Sequence, residues 1–177
     1  VRTSVFSLSA LRTINENGVH FRSHLDGSMH FIGPIEAMEI QRALGSDICM
    51  AFDECTPYPA SHEYALKSLA LTTKWARKCK EAVSSQLSAN SSQALFGIIQ
   101  GGVYKDLRKQ SLEELVEIGF DGYAAGGLSV GEPKDEMYEI INFITPLMPE
   151  NRPRYLMGVG DLMDMLVAVE AGFDMFD

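Results

Sequence analysis

Five short apolar runs recur along the chain, and no other feature limits its fold as strongly. Runs this short are typical of strands that are buried on both faces of a sheet. The segments between them are long enough for helices, and a parallel connection needs such a crossover. The sequence therefore predicts an α/β fold with a parallel sheet, whose strands cover residues 48–52, 95–99, 123–125, 155–159 and 175–176.

Two of the connecting segments carry clear helical periodicity. After Pro133, apolar residues stand at positions 137, 140, 141 and 144, which lie on one side of a helix. Leu162, Leu166 and Val169 repeat this spacing before Gly172, a residue type that commonly ends helices. Both patterns predict amphipathic helices whose apolar side is buried.

The first part of the chain has a different pattern. Residues 19–31 alternate between apolar and polar around an Asp-Gly pair at positions 26 and 27, which predicts a β-hairpin. Pro34 fits the first position of a helix that ends at Gly45. Its predicted buried residues are Ile35, Met38 and Leu44.

Composition excludes several classes of protein. The 177 residues, 46% hydrophobic and 22% charged, fit one globular domain, in which the Ser-rich residues 84–93 form a surface loop. No apolar stretch approaches the ~18 residues of a membrane span, and the N-terminus lacks a leader pattern, so we expect a cytoplasmic protein. A net charge of −9 argues against broad electrostatic binding of nucleic acid. Three cysteines without C-x-x-C spacing indicate reduced thiols, and the four histidines show no metal-ligand spacing.

Chemically unusual residues lie at the carboxyl end of each predicted strand. Ligands bind at the carboxyl ends of parallel strands in barrels and in open sheets alike. The side chains at these ends offer a carboxylate and an amide that both donates and accepts hydrogen bonds. The glycines allow a ligand to approach the backbone N–H and C=O groups closely. Taken singly, each also fits a cap, a turn or a core position. The residues are Asp53, Gln100, Gly126, Gly127, Met157 and Asp177.

Five motifs together resemble the bacterial tRNA-guanine transglycosylase family, in the same order and at compatible distances. The resemblance implies a (β/α)8 TIM barrel, of which residues 1–177 are a single partial catalytic domain. The family's N-terminal strands and C-terminal zinc subdomain are expected outside this chain. The motifs are FDECTPYP at 52–59, FGIIQGG at 96–102, GGLSVGE at 126–132, YLMGVG at 155–160 and DMFD at 174–177.

The resemblance also implies a role for each site residue. Asp177 is the expected nucleophile, which attacks ribose C1′ of the wobble guanosine and forms a covalent intermediate. Asp53 and Gln100 are expected to bind the edge of the base. The backbone at Gly127 and Leu128 would hydrogen-bond the base and its substituent, and a methionine, Met157, would stack beneath the ring.

Further expectations concern substrate and assembly. Cys55 and Val130 resemble the bacterial pattern, which implies 7-aminomethyl-7-deazaguanine rather than queuine as the incoming base. The tRNA substrates would be those with GUN anticodons, and the complete enzyme would be a homodimer. One structural zinc is expected in the C-terminal subdomain, with no metal or other cofactor in this chain.

The chain also departs from the family pattern. Members carry an Asp-Ser-Gly-Gly-aromatic-Gln segment before residues 6–8, which supplies a second catalytic Asp, whereas residues 1–4 here are VRTS. We therefore expect this chain alone to be inactive. Three alternatives remain: a non-catalytic accessory subunit of the same family, an inactive folding fragment, and an unrelated barrel lyase or aldolase. The last would need a Schiff-base lysine or a phosphate-binding loop, and no predicted strand ends in lysine.

Overall fold

A computed structural model describes residues 11–86 and 93–177 and shows two sheets flanked by helices. The elements in chain order are β1 Arg12–Asn15, β2 Gly18–Arg22, β3 Met29–Ile32, α1 Pro34–Ala43, β4 Ile48–Met50, α2 His62–Gln86, β5 Ala94–Ile99, α3 Lys105–Ile118, β6 Gly122–Ala125, α4 Lys134–Ile144, a 3-10 helix Thr145–Leu147, β7 Arg154–Leu156, α5 Leu162–Ala171 and β8 Met175–Phe176.

The larger sheet confirms the predicted α/β class. Its five strands are parallel and neighbour each other in chain order, β4-β5-β6-β7-β8. The sheet curls into a half-barrel, because each crossover helix lies on the outer side and packs against the next helix. The fold is thus part of a TIM barrel. β5 and β6 are the most buried strands, as expected for the centre of such a sheet.

The smaller sheet is antiparallel and precedes the half-barrel. The predicted hairpin is confirmed: β2 pairs with β3, with Val19 opposite Ile32, and Gly27 has a positive φ of 76° in the turn. A third strand, β1, also pairs with β2 and was not predicted. The apolar faces of this sheet and of β4 enclose a cavity that also borders the candidate site.

Helix α1 begins at Pro34 as predicted, but the prediction of its buried residues is partly wrong. Met38 is buried together with Ala37. Ile35 and Leu44, in contrast, are 50% and 76% exposed. The reason is that α1 contacts α2, β3 and β4 on one side only, and these two residues lie outside that contact.

The predictions for α4 and α5 have different outcomes. All four apolar positions of α4, Met137, Ile140, Ile141 and Ile144, are buried. In α5 the ends are as predicted, with Gly172 in the left-handed region, but the predicted buried residues Leu162, Leu166 and Val169 are 56% exposed or more. Asp164 and Ala168 are buried instead, because α5 packs mainly against α4 and Asp164 accepts hydrogen bonds from Lys134 and Tyr138 across that contact.

The Ser-rich segment is only partly as predicted. Helix α2 continues through residues 84–86, which were predicted to be loop. Serine is tolerated there because the Ser85 hydroxyl donates to the Ala82 carbonyl at 3.0 Å. Residues 87–92, and residues 1–4 that depart from the family pattern, lie outside the described part. Among the described helices, none has the length and apolar character to cross a bilayer.

Candidate active site

The predicted site residues all lie at one edge of the half-barrel, at the carboxyl ends of its strands. Gln100 directly follows β5, Gly126 follows β6, Met157 follows β7 and Asp177 follows β8. Asp53 stands three residues after the end of β4. Because parallel strands end at the same edge, residues far apart in sequence are brought together there.

Asp53 and Gln100 form the centre of the site. Gln100 is fully buried and its Nε2 donates to Asp53 Oδ2 at 2.6 Å, while its backbone N–H donates to the Ser111 hydroxyl of α3 at 3.1 Å. Its Oε1 is the buried side-chain oxygen that has no hydrogen-bond partner within the described residues. An unpaired buried acceptor is costly unless a ligand satisfies it.

The surroundings of Asp53 also change its acidity. Burial raises the pKa of its carboxyl group to about 6, although the Gln100 amide partly opposes this rise by donating to the carboxylate. Asp53 therefore changes charge in the physiological range, and its protonated and ionised forms would present different hydrogen-bonding groups to a ligand.

Gly127 lies against the side-chain amide of Gln100. Its φ is +62°, and a Cβ added there would lie 2.3 Å from Gln100 Oε1. Only glycine therefore allows the backbone to approach this amide so closely. The neighbouring Leu128 has its side chain in the hydrophobic core at 3% exposure, so that only its backbone is available to the site.

Cys55 and Val130 contribute differently. Burial raises the pKa of the Cys55 thiol to about 11, and the nearby Asp53 charge adds to the rise. The Arg108 charge and the Gly127 N–H beside the sulfur oppose it. Cys55 is thus a neutral thiol and no nucleophile at neutral pH. The backbone N–H of Val130 donates to Glu132 Oε2 at 2.9 Å, and that of Ser129 donates to the same carboxylate.

Met157 lines a cavity of about 380 Å³ together with Asp53 and Cys55. Apolar residues of β2 and α2, including Phe21 and Trp75, form much of the remaining wall. A few polar groups at one end of an apolar cavity are typical of small-molecule sites. This cavity therefore brings three of the predicted site residues together.

Asp177 is an exposed carboxylate with one anchored oxygen. Its Oδ1 accepts hydrogen bonds from the Tyr155 hydroxyl at 2.8 Å and from the Gly158 N–H at 2.6 Å. Its Oδ2 has no donor within residues 11–86 and 93–177. Burial and the bond to Asp177 raise the pKa of Tyr155 to about 12, so that this hydroxyl stays a donor. Such a carboxylate is oriented and has one oxygen free to react.

Two contributors were missed at the level of sequence. Tyr155 lies within one of the five motifs without a predicted role, and Arg108 lies outside all of them. Arg108 is fully buried in α3 and bonds four backbone carbonyls at the ends of β5 and β6. Its position was detectable, because residues 108, 111, 112 and 115 share one helical side that is buried.

The fold and site together define a β/α-barrel protein whose candidate ligand site lies at the carboxyl ends of its strands. Within the described ranges, no three His, Cys, Asp or Glu side chains are grouped so that they could hold a metal ion. The groups that these residues themselves offer are positioned carboxylates, an amide and backbone N–H and C=O groups.

Residues 2–177 match the family model described as Queuine tRNA-ribosyltransferase. The chain is 62% identical to proteins of that name from Thermodesulfovibrio yellowstonii and Halothermothrix orenii, and 61% identical to one from Lysinibacillus sphaericus. Each match covers 98% of this chain but only 44 to 45% of the relative. The chain belongs to this family, as the five motifs predicted, and it spans less than half the length of these relatives.

Proposed function

We propose that the natural protein containing this chain exchanges the wobble guanine of tRNAs with GUN anticodons for 7-aminomethyl-7-deazaguanine, in queuosine biosynthesis. The main support is one arrangement: the fixed Asp53–Gln100 pair stands at the same strand edge as the anchored carboxylate of Asp177. This combines a group that can react at a sugar carbon with groups that can bind a planar base.

The base would be bound through complementary donors and acceptors. Guanine has N–H donors at N1 and N2, which suit the ionised carboxylate of Asp53. Its O6 acceptor suits the N–H of Gly127, and the unpaired Gln100 Oε1 offers a further acceptor. Met157 would lie against the face of the ring. A base without these groups would leave buried polar atoms unsatisfied, which gives strong discrimination.

The reaction would proceed through two displacements at C1′ of the ribose. In the first, Asp177 Oδ2 forms a bond to C1′ while the C1′–N9 bond breaks, and its electron pair leaves with guanine, which takes up a proton. In the second, N9 of the incoming base loses a proton and bonds C1′, which releases the Asp177 carboxylate. An ionised carboxylate suits both steps because C1′ acquires positive character.

The proposal extends to assembly and location through the family resemblance. It includes a homodimer, a cytoplasmic location and one structural zinc in a C-terminal subdomain outside these residues. Because a net charge of −9 disfavours broad electrostatic attachment, the proposed tRNA contact would use a local basic surface or other segments. Since the relatives are more than twice as long, we further propose that residues 1–177 alone do not catalyse exchange.

The test is incorporation of labelled guanine into unmodified tRNA by the full-length natural protein. Exchange is expected, and a subsequent chase with 7-aminomethyl-7-deazaguanine should release the label. A folded full-length protein that incorporates no guanine at any salt concentration or tRNA tested would contradict the proposal and favour the accessory-subunit function.

The pKa of Asp53 predicts a pH dependence. Guanine binding needs the ionised carboxylate, so kcat/KM for guanine should rise with pH and level off above an apparent pKa of about 6. Folding favours the protonated carboxyl, so this group's contribution to the free energy of unfolding should decrease as the pH rises from ~4 to about 6. The measurement is a pH profile of exchange by the full-length protein.

Two variants make this profile specific to Asp53. Asp135→Asn, at an exposed position in the first turn of α4, should keep the rise of kcat/KM near pH 6. Asp53→Asn should lose it along with most activity. An acid limb that stays near the ordinary carboxyl value of ~4 in the unmodified protein would contradict the assignment.

Tyr155→Phe should lower kcat without changing base binding. The change removes one of two donors to Asp177 Oδ1 while keeping the ring, so Asp177 loses orientation but the Asp53–Gln100 pair is untouched. We expect kcat to fall about tenfold, with the KM for guanine within about twofold. Steady-state kinetics of the full-length protein measure both, and a rise in the KM for guanine at constant kcat would refute this role.

A further inference from the structure

Arg108 is a buried cation whose nearest described carboxylate charge, that of Glu132, acts on it from beyond salt-bridge distance. Its side chain is fully inaccessible, and burial lowers the pKa of the guanidinium to about 10, which leaves it protonated at neutral pH. No carboxylate forms a salt bridge with it in the part of the chain that the structure describes. An unpaired buried charge is strongly unfavourable, so its retention demands another source of stabilisation.

Backbone carbonyls provide that stabilisation. Nε donates to Gly102 O at 2.7 Å, Nη1 donates to Ile99 O at 2.8 Å and to Gly126 O at 2.7 Å, and Nη2 donates to Gly127 O at 3.2 Å. The Ile99 and Gly102 carbonyls flank Gln100 at the end of β5. The Gly126 and Gly127 carbonyls directly follow β6. The planar fork of an arginine can bond them together, whereas the single ammonium of a lysine cannot.

These bonds fix the direction of two peptide groups in the site. In a trans peptide the C=O and the following N–H point in opposite directions. Because the Gly126 and Gly127 carbonyls face Arg108, the N–H groups of Gly127 and Leu128 face away from it. The Gly127 N–H accordingly lies beside the Cys55 thiol, which lines the same cavity as Asp53.

We propose that Arg108 is a positioning residue that determines specificity for a base bearing a ring carbonyl oxygen. It holds the peptide before Gly127 so that the Gly127 N–H is presented to that oxygen, and its charge polarises the peptide and strengthens the donor. The inference rests on the proposed function and adds to it the group that selects a 6-oxopurine over purines without this oxygen.

The experiment compares two bases and two substitutions in the full-length natural protein. Guanine carries the C6 oxygen and an N1 proton, whereas 2-aminopurine lacks both but keeps the 2-amino group. Because Arg108 bonds backbone carbonyls and Asp53 is the proposed partner of N1–H, the change that Arg108→Lys causes for each base reports on the contact to the oxygen. Arg108→Lys keeps the charge without the planar fork, and Lys109→Gln changes an exposed neighbour on α3 as the matched control. Dissociation constants for both bases are measured after thermal melting has shown that each variant is folded.

Arg108→Lys should weaken guanine binding about tenfold and leave 2-aminopurine binding within about twofold, while Lys109→Gln changes neither. A purely structural role would weaken both bases equally, and that result, or unchanged binding of both, overturns the inference. If the unmodified protein neither binds nor exchanges guanine, the proposed function itself has failed and the inference falls with it. If folded Arg108→Lys binds guanine and the ratio of its dissociation constants for the two bases is unchanged, only the role of Arg108 is refuted.

A second measurement decides the matter if the variants do not fold. In ¹⁵N-labelled unmodified protein, the buried Arg108 Nη–H signals should exchange slowly with solvent and shift when guanine saturates the site, together with the Gly127 amide. With 2-aminopurine, neither should shift in the same way. Guanine binding that moves the Gly127 amide but leaves the Arg108 signals in place would overturn the proposal.

Discussion

Asp177→Asn in the full-length natural protein is expected to abolish guanine exchange, with a loss on the order of 10⁴-fold or more. An amide of the same size can keep an oxygen toward Tyr155 and Gly158, so the local structure should persist. The amide oxygen is, however, a poor nucleophile and cannot balance the positive charge that develops at C1′. Label incorporation into tRNA measures the loss.

Trapping of the intermediate provides a second readout for the same substitution. The unmodified protein, mixed with tRNA and stopped by denaturation, should give a covalent protein–tRNA band, and Asp177→Asn should give none. Asp135→Asn, an exposed acid on α4, is the matched control and should retain both activity and the band. A covalent band that persists in folded Asp177→Asn would show that another residue is the nucleophile.

The sequence could predict the fold to the extent that burial follows from local pattern. The strands β5 and β6 are buried on both faces, so their runs of apolar residues are unambiguous, and α4 shows its buried side in full. For α5 the same periodicity gave the helix but the wrong buried residues, Leu166 among them. Which side of a helix is covered depends on its neighbours, and the main neighbour of α5 within the described residues is α4.

The residues of the candidate site can be singled out from the sequence through the five motifs, but the hydrogen bonds that support them cannot. Asp53, Gln100 and Asp177 follow predicted strands, where each alone also fits a cap or a turn, and only the five motifs together indicate a common site. The bonds of Arg108 cannot be foreseen in this way, because its acceptors are backbone carbonyls and leave no trace in side-chain chemistry. An arginine on a helix side that otherwise carries apolar or small residues nevertheless indicates a buried interaction. Such a cation needs buried hydrogen-bond acceptors or a counter-charge.

Gly127→Ala is the second substitution with a large expected effect. A methyl group at this position would stand 2.3 Å from Gln100 Oε1 and must displace the amide, because the Gly127 backbone is itself held by Arg108. Displacement breaks the 2.6 Å bond to Asp53 and removes both groups from the base site. We expect the dissociation constant for guanine to rise about a hundredfold in the full-length protein.

Gly45→Ala separates this displacement from backbone strain. Gly45 has a φ of +71°, close to the +62° of Gly127, but a Cβ there would meet nothing within 4 Å. Both substitutions should lower the free energy of unfolding by about 1 to 2 kcal/mol, because alanine is strained in the left-handed region. Only Gly127→Ala should lose guanine binding. If both variants bind guanine normally, the contact between Gly127 and Gln100 does not shape the base site. If both lose it, global destabilisation accounts for the effect, and the specific link from Gly127 through Gln100 to Asp53 is refuted.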